Sequence, residues 1–473
     1  MDEEAGVSLK FVVVGAGLAG LAAAYTLARA GHHVLVLEHF EEHIRSLGCV
    51  GASPSMTRIL IQWGLKENIE RLFQSCDKCQ FFDATTGSSL GALSLHLMAE
   101  IKSEGSAGFM IAPHYDLVDM FLELGTRAGV QYRFGVDATG LDPQTDNVLL
   151  STGEVISADV IIAGDGSHSV FRQYVEEDRF SDDEDLASLI PPKFAHVMAP
   201  ISIEDIRKDK DLDTLCELNS WDYWLGDGYI CHCSFSNHGK NGLIAIVVPY
   251  EGEAKPEHAE WTFCTDYKAY GVDLSKLEQR LRKLFQTANF FYGKIYENRP
   301  LETIHAISQK VILVGEAAHS ILPGSYHYPA LAFEDAQTLG SLFSKIQKKD
   351  QISKFLASYE EIRQPRLKFV YESEMAYRIR LTSPDETIRR HRNELLRRLS
   401  EYNMNSSSAD EEVLMEGWGT DFEIMSYDTN EQVTDWWRKY GISIVGTSQD
   451  ACGEKELKIG VATQVAAQFV DSD

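Results

Sequence analysis

Three glycines near the start of the chain, Gly15, Gly17 and Gly20, have the spacing of a backbone turn that receives a phosphate. They follow an apolar run at residues 10–14, which is typical of a buried parallel strand. An alanine- and leucine-rich segment then predicts a helix over residues 18–30. In such a turn Gly15 makes the tight bend, Gly17 lets the backbone approach a pyrophosphate and Gly20 lets helix and strand pack closely. The helix N-terminus offers free N–H groups and a positive dipole end to phosphates.

A second apolar run, at residues 34–37, ends at Glu38. A carboxylate at the end of the second strand accepts hydrogen bonds from ribose hydroxyls and argues against a 2′-phosphate at this position. Spaced glycines alone could be a turn without a ligand. The full order of strand, glycine turn, helix, strand and acid predicts a dinucleotide site.

Two further strand-and-glycine motifs occur far along the chain. The run 159–163 leads into Gly164-Asp165-Gly166-Ser167, and the run 310–314 leads into Gly315-Glu316-Ala317-Ala318-His319. Glycine after a strand permits close backbone approach to a ligand. The residues by themselves leave NAD open as the nucleotide.

The three motifs resemble those of the single-component FAD-dependent aromatic hydroxylases, the class A flavoprotein monooxygenases, especially the salicylate-hydroxylase-like branch of fungal secondary metabolism. Similarity also lies at Leu322-Pro323, at 332–336 and at 359–366, so the resemblance covers roughly residues 8–370. It implies an α/β fold in which a Rossmann-like, GR2-type FAD-binding domain is interrupted by an α+β substrate domain with an antiparallel sheet. A C-terminal helical region follows.

The resemblance and the residue patterns suggest domain bounds. The FAD-binding domain is expected at 1–75, 111–184 and 300–345, and the substrate domain at 76–110 and 185–299. Alternating, aromatic-rich runs between residues 221 and 249 predict antiparallel strands, with a hairpin turn at Gly226-Asp227-Gly228. Residues 346–473 are expected to be helical and to end in an acidic tail, for which disorder is the favoured prediction.

The resemblance assigns FAD contacts to residues of all three motifs and of the segments between them. They are Gly15, Gly17, Gly20, Glu38, Ala52, His114, Asp165, Gly166, Gly315, Glu316, Pro323 and Pro329. His319 is expected to be structural. Three positions depart from the family pattern: His114 replaces arginine, Glu316 replaces aspartate, and Tyr328 is far bulkier than the usual glycine.

By the same resemblance, NADPH or NADH transiently binds and reduces the FAD, dioxygen adds to it, and a flavin C4a-hydroperoxide hydroxylates or epoxidises a small hydrophobic metabolite, aromatic or polyunsaturated. The protein would hold the substrate, exclude water and stabilise charge. The expected catalytic residues are His327, whose imidazole is suited to acid–base catalysis, together with Tyr326 and Tyr223. Trp224, Tyr229, His232 and Tyr328 are expected to share the substrate wall, although sheet packing explains Trp224 and Tyr229 equally well.

The departures leave two alternatives open. One is an FAD-binding enzyme of the same fold that catalyses a redox-neutral cyclisation or isomerisation. The other is a flavin-binding protein without catalysis. Consumption of NAD(P)H with substrate and oxygen would separate a hydroxylase from a cyclase.

Composition limits the partners and the compartment. A net charge of −27 disfavours nucleic acids and anionic membranes. The chain has no apolar run of about 18 residues, and its charged start is unlike a signal peptide, so a cytoplasmic protein is expected.

The eight cysteines are expected to be reduced. Cys76 with Cys79 and Cys231 with Cys233 have spacings that zinc sites use, but buried, inert thiols are favoured and no metal is expected. The sequence leaves the oligomeric state open.

Overall fold

A computed structural model describes residues 5–42, 48–95, 105–177, 193–212, 218–236, 239–252, 261–288, 291–296, 301–306, 310–319, 324–325, 327–401 and 408–445. Two of the predicted site residues, Pro323 and Tyr326, lie outside the described residues, as does the acidic tail.

The described segments form strands in the first two thirds of the chain and long helices in the last third. The strands are β1 Lys10–Val14, β2 His33–Leu37, β3 Cys49–Ala52, β4 Gln74–Ser75, β5 Lys78–Asp83, β6 Ser89–Ser94, β7 Met110–Pro113, β8 Gln131–Arg133, β9 Ala138–Leu141, β10 Val148–Leu150, β11 Val155–Ile156, β12 Val160–Ala163, β13 Phe194–Ile201, β14 Ser220–Leu225, β15 Ile230–Ser236, β16 Asn241–Pro249, β17 Thr262–Cys264, β18 Phe291–Tyr296, β19 His305–Ala306 and β20 Val311–Leu313. The α-helices are α1 Leu18–Arg29, α2 Pro54–Gln62, α3 Lys66–Leu72, α4 His114–Arg127, α5 Arg172–Glu177, α6 Ile203–Ile206, α7 Gln279–Gln286, α8 Tyr328–Phe343, α9 Ile352–Thr382, α10 Glu386–Glu401, α11 Ser408–Ser426 and α12 Thr429–Val445.

A six-stranded sheet in the order β19-β20-β12-β1-β2-β8 brings the three glycine motifs together. Its strands run parallel except for the β19–β20 pair. Val14 pairs with Ala163, and Ala163 pairs with Leu313. Because each of these residues ends its strand, the motifs that follow emerge at one edge of the sheet. Ligands of open α/β sheets bind outside this carboxyl edge.

A second sheet has eight strands in the order β17-β18-β13-β16-β15-β14-β5-β6. Its neighbours pair antiparallel except β14 with β5. The β14–β15 hairpin closes where the Gly226 N–H donates to the Tyr229 carbonyl at 3.0 Å. On one side of this sheet, which we call its far side, strand residues such as Cys231 and Cys233 form a core with α7. The opposite side faces the FAD-binding sheet.

The remaining elements cover these two sheets. Two three-stranded sheets have the orders β11-β10-β9 and β3-β7-β4. Helix α8 is joined to α1 by a 2.8 Å hydrogen bond from the Thr26 hydroxyl to the Ala336 carbonyl. Among the described residues, none of the helices combines the length and apolarity that a membrane span needs.

The predicted fold class, with a parallel Rossmann-like sheet, an antiparallel substrate sheet and C-terminal helices, is confirmed. We retain the predicted domain bounds as a proposal. Cys231 and Cys233 are buried on the far side of the eight-stranded sheet. Cys76 and Cys79 are buried in a separate cluster, on the opposite side of that sheet. Burial raises the pKa of the thiols of Cys76, Cys79 and Cys231.

Candidate functional site

A cleft of about 490 Å³ opens at the carboxyl ends of β1 and β12. We call it the dinucleotide cleft. One wall carries predicted cofactor-binding residues, which are Gly15, Gly17, Glu38, His114, Asp165 and Gly166. The other wall carries Met198, Tyr292 and Lys294 from the eight-stranded sheet, and Trp261 from the segment just before β17. The side of the sheet that bears Met198, Tyr292 and Lys294 is its cleft-facing side.

The glycines of the first motif are constrained in two different ways. Gly15 has φ +96°, and a Cβ there would collide with the Gly164 carbonyl. A Cβ on Gly20 would collide with the Gly15 carbonyl, so Gly20 lies beneath the loop rather than in the cleft. A Cβ on Gly17 would meet no atom within 4 Å. Gly15 and Gly20 are therefore required by packing within the chain, whereas Gly17 keeps open a space that a ligand can enter.

Glu38 holds the glycine loop and also faces the cleft. Its Oε2 accepts from the Ala16 N–H at 2.7 Å, and its Oε1 accepts from the Phe40 N–H at 3.1 Å. A carboxylate oxygen accepts more than one hydrogen bond, so both oxygens retain capacity for ribose hydroxyls.

Asp165 presents a buried acceptor to the same cleft. Its Oδ2 accepts from the Val170 N–H at 3.1 Å, while its Oδ1 is buried and has no hydrogen-bond partner in the described part of the chain. Burial raises the pKa of Asp165 to about 6. Gly166 has φ +87° and open space where a side chain would stand. A bound ligand with hydroxyl groups would satisfy Asp165, so these carboxylate acceptors and the open glycine loop fit a flavin dinucleotide.

The third motif contacts the eight-stranded sheet. Glu316 Oε2 lies 2.6 Å from Lys294 Nζ, and both side chains are largely buried. Burial alone would raise the pKa of Glu316, but Lys294 and a hydrogen bond from Tyr328 hold that pKa below its usual range. Glu316, which stands where the family usually has aspartate, therefore forms an ion pair with a residue of the eight-stranded sheet. Neither Gly315 nor Glu316 lines the dinucleotide cleft.

Two other predicted cofactor residues lie away from the cleft walls. Ala52, in β3, is 0% exposed and belongs to the hydrophobic core, so the structure does not place it in the dinucleotide cleft. Pro329 stands in the first turn of α8, where a missing N–H costs no hydrogen bond. His114 begins α4, lines the cleft and donates its N–H to the Gly48 carbonyl at 2.8 Å.

The predicted catalytic residues Tyr223 and His327 line different cavities. Tyr223 stacks on Phe81 with 5.6 Å between ring centroids and lines a small cavity of about 40 Å³. His327 precedes α8, is 2% exposed, and lines a cavity of about 450 Å³ between α9 and α11. Its Nε2 lies 3.6 Å from Asp421 Oδ1. Glu374 and Tyr377 line both cavities.

Two residues expected at the substrate wall lie elsewhere. Trp224 is on the far side of the eight-stranded sheet, 0% exposed and stacked on Phe82 with centroids 5.3 Å apart. Tyr229 packs against the same far-side core. Alternation along β14 explains the difference, because Tyr223 and Trp224 are neighbours and must point to opposite faces. His232 pairs with Tyr223 in the register and lies on the cleft-facing side.

Four residues that line the dinucleotide cleft were not predicted from the sequence. They are Met198, Trp261, Tyr292 and Lys294. Only the position of Lys294 could have been inferred from the sequence. A lysine inside a buried strand needs a partner, and here that partner is Glu316. The other three carry apolar or aromatic side chains that do not differ in kind from core residues.

Behind the third motif, a buried network joins charged residues of α8 and α9. His319 Nε2 lies 2.6 Å from Asp335 Oδ2, which also accepts from the Gly315 N–H at 3.0 Å. Arg363 donates to Asp335 at 2.9 Å and to Glu334 at 2.8 Å. His319 is thus in a structural position behind the motif.

Comparisons with known proteins identify the family. The model of the FAD binding domain family matches residues 8–373, and the chain belongs to this family. The FAD-dependent monooxygenase atnJ of an Arthrinium species is 28% identical, over 76% of this chain and 82% of that protein. Hispidin-3-hydroxylase of Neonothopanus nambi is 24% identical, over 77% of this chain and 87% of that protein.

A solved structure supports the fold. The substrate complex of a salicylate hydroxylase superposes with a TM-score of 0.64 at 18% identity, covering 91% of this chain and 98% of that one. The predicted membership among the FAD-dependent flavoprotein monooxygenases is confirmed, as is FAD as the cofactor.

Proposed function

We propose that this flavoenzyme uses NADPH or NADH and dioxygen to hydroxylate or epoxidise a small hydrophobic metabolite, aromatic or polyunsaturated, in secondary metabolism. The observation that carries the proposal is one continuous cleft, which joins a dinucleotide-binding loop to an aromatic sheet face. Bound FAD would supply the activation of dioxygen and the transfer of one oxygen atom. The curated relatives named FAD-dependent monooxygenases support the reaction class.

Residues at the carboxyl edge of the parallel sheet would hold the cofactor. The open position at Gly17 and the N-terminus of α1 suit the pyrophosphate. Glu38 and the unpaired Oδ1 of Asp165 suit hydroxyl groups. Pro323, outside the described residues, and Pro329 remain predicted contacts, as do Gly315 and Glu316.

The cleft-facing side of the eight-stranded sheet would bind the substrate. Trp261 and Tyr292 line the cleft, and Tyr223 lies on the same side of the sheet, so these rings would exclude water from the reacting atoms. His327, buried beside Asp421, is suited to hold or move a proton at its Nε2. Tyr326 remains a predicted catalytic residue.

The proposal is tested by anaerobic stopped-flow reduction of the FAD-loaded protein with NADPH and with NADH. Reduced protein is then mixed with oxygenated buffer and a panel of phenolic, indolic and polyketide compounds. We expect bleaching of the flavin, then a transient absorbance unlike that of oxidised or reduced flavin, and a product heavier by one oxygen atom. Failure of both nicotinamides to reduce the flavin, even with the compounds present, would contradict the proposal and favour redox-neutral chemistry.

A further inference from the structure

Two buried histidines lie side by side on the cleft-facing side of the eight-stranded sheet. His196 is in β13 and His232 in β15, with β16 between them, and their ring centroids are 5.7 Å apart. They are 7% and 3% exposed. In the described part of the chain, none of their four ring nitrogens has a hydrogen-bond partner. Buried polar groups without a hydrogen-bond partner are unfavourable, so a bound ligand that offers hydrogen-bonding oxygens would stabilise these imidazoles.

Three other buried histidines, His32, His305 and His319, are bonded within the fold. His32 Nδ1 accepts from the Leu9 N–H at 3.2 Å, and its Nε2 lies 3.1 Å from the Phe343 carbonyl. His305 and His319 each lie 2.6 Å from a carboxylate oxygen. His196 and His232 differ because neither has such a contact with any residue that the structure describes. Core packing, which accounts for the other three, does not account for this pair.

The surroundings of the pair are aromatic and adjoin the dinucleotide cleft. Trp261, which lines the cleft, meets the His196 ring edge-on with centroids 5.1 Å apart. The centroids of Trp221 and Tyr223 lie 5.9 and 6.1 Å from that of His232. His232 also lines the 40 Å³ cavity beside Gly324. That cavity has room for a substituent rather than for a whole ligand, which suits one polar group on a larger ring system.

Both imidazoles are neutral near pH 7. Burial lowers the pKa of His232 to about 4, and the charge of Arg378 lowers it further. Burial also holds the pKa of His196 well below its usual value, with additional effects of His232, Arg378 and Lys294. A neutral imidazole offers one N–H donor and one acceptor. The pair is therefore matched to hydroxyl and carbonyl oxygens. The cation Arg378 lines the same cavity as His232, but the carboxylate of Glu374 lies there too and interacts with it.

We propose that His196 and His232 each bind one oxygen substituent of the same aromatic substrate, which is an uncharged mono- or bicyclic compound bearing two hydroxyl or carbonyl groups. The inference rests on the proposed function, because it takes the cleft-facing side of the sheet as the substrate wall. The surrounding rings would pack on the faces and edges of the substrate. The two histidines would fix its orientation relative to the flavin and thereby select the carbon that is oxygenated.

The test compares three probes that share one carbon skeleton: 1,3-dihydroxynaphthalene, 2-naphthol and naphthalene. Each is titrated into the FAD-loaded protein and followed by the change in flavin absorbance. We expect the diol to bind most tightly. His196→Phe and His232→Phe keep an aromatic ring and remove both polar atoms, so each is expected to weaken diol binding about tenfold while leaving naphthalene binding within about twofold.

Two further variants separate hydrogen bonding from packing. His232→Gln keeps a donor and an acceptor and is expected to retain the preference for the diol. Cys233→Ala changes the adjacent residue on the far side of β15 and is expected to leave the order of the three probes unchanged. Equal binding of diol and naphthalene by the unaltered protein, or a preference that survives in both phenylalanine variants, would overturn the inference.

Flavin reduction by NADPH and NADH, measured on the same preparations, distinguishes this inference from the proposed function. Reduction and oxygen uptake without a preference for the diol would reject the histidine site and leave the monooxygenase in place. A histidine-dependent preference for the diol in a protein that neither nicotinamide reduces would support the site and reject the proposed reaction.

Discussion

At the scale of single residues, the glycines of the first motif fall into two classes, those that the fold requires and one that leaves space for a ligand. Side chains at Gly15 and Gly20 would collide with backbone carbonyls, so these positions are fixed by the fold itself. Gly17 is different, because its backbone has φ −73° and ψ 175° and open space beyond it. A larger residue fits the backbone at this position and conflicts only with what enters the cleft.

We therefore expect Gly17→Val to fold but to lose FAD. Valine adopts extended backbone readily, and its branched side chain would occupy the approach to the α1 N-terminus, weakening FAD binding about tenfold or more. The ratio of flavin to protein absorbance after purification and the circular dichroism spectrum measure the two effects. Gly153→Asn, in an exposed turn with φ +84° and open space, is the control and should keep its flavin. A yellow, FAD-replete Gly17→Val protein would show that the open space at Gly17 does not admit the cofactor.

At the scale of elements, the buried charges of α8 and α9 fix the third motif against the helices. Glu334 and Asp335 are 0% exposed, as is Arg363, which binds both of them. Arg366 adds a 3.0 Å contact to Glu334. Burial alone would raise the pKa of each carboxyl, but neighbouring side chains, Arg366 for Glu334 and His319 for Asp335 foremost, hold both pKa values below their usual range. The network positions Gly315 through the Asp335 carboxylate.

Arg363→Leu is expected to destabilise the protein by about 3–5 kcal/mol, because it leaves two buried carboxylates undercompensated. The urea midpoint of unfolding, followed by tryptophan fluorescence, measures the loss. Arg390, exposed and 3.5 Å from Glu386 on α10, supplies the control, and Arg390→Leu should cost at most about 0.5 kcal/mol. Equal midpoints for the Arg363→Leu variant and the unaltered protein would show that the network contributes nothing to stability.

At the scale of the whole molecule, two sheets built from distant parts of the chain enclose the site between them. The Lys294–Glu316 pair joins them at 2.6 Å, and the cleft-facing side adds the buried, neutral histidines His196 and His232. A third, His32, is buried beneath the parallel sheet, and burial lowers its pKa to about 4. Protonation of such groups is favoured in the unfolded chain.

Stability is consequently expected to fall as the pH is lowered from 7 to 5. Below the unfolded pKa of 6.5 a histidine takes up a proton when the chain unfolds, while in the folded protein His32 and His232 stay neutral until about pH 4. Each contributes about 2 kcal/mol to the loss over this range. Urea unfolding at the two pH values measures it, and His232→Phe should reduce the difference, whereas a variant of the exposed His33 should not. A difference unchanged by His232→Phe would contradict the low pKa of that imidazole.

Sequence patterns predicted the parts of this protein that depend on residues near one another in the chain. The strand-glycine-helix unit around Gly15, the acid at Glu38 and the turns after β12 and β20 are local, because an apolar run and a glycine specify a strand and its sharp end. The resemblance that these units carry predicted the Rossmann-like fold, the flavin cofactor and the family.

The tertiary structure alone decided which residues of the second sheet lie on its cleft-facing side. Tyr223 and Trp224 are both aromatic and adjacent, and only the side of the sheet that packs on the FAD-binding half distinguishes them. The same holds for Lys294 with Glu316 and for His196 with His232, since each pair joins different strands or segments of the chain. Contacts of this kind depend on register and on the packing of one sheet against another, which residue type and spacing in a single sequence do not specify.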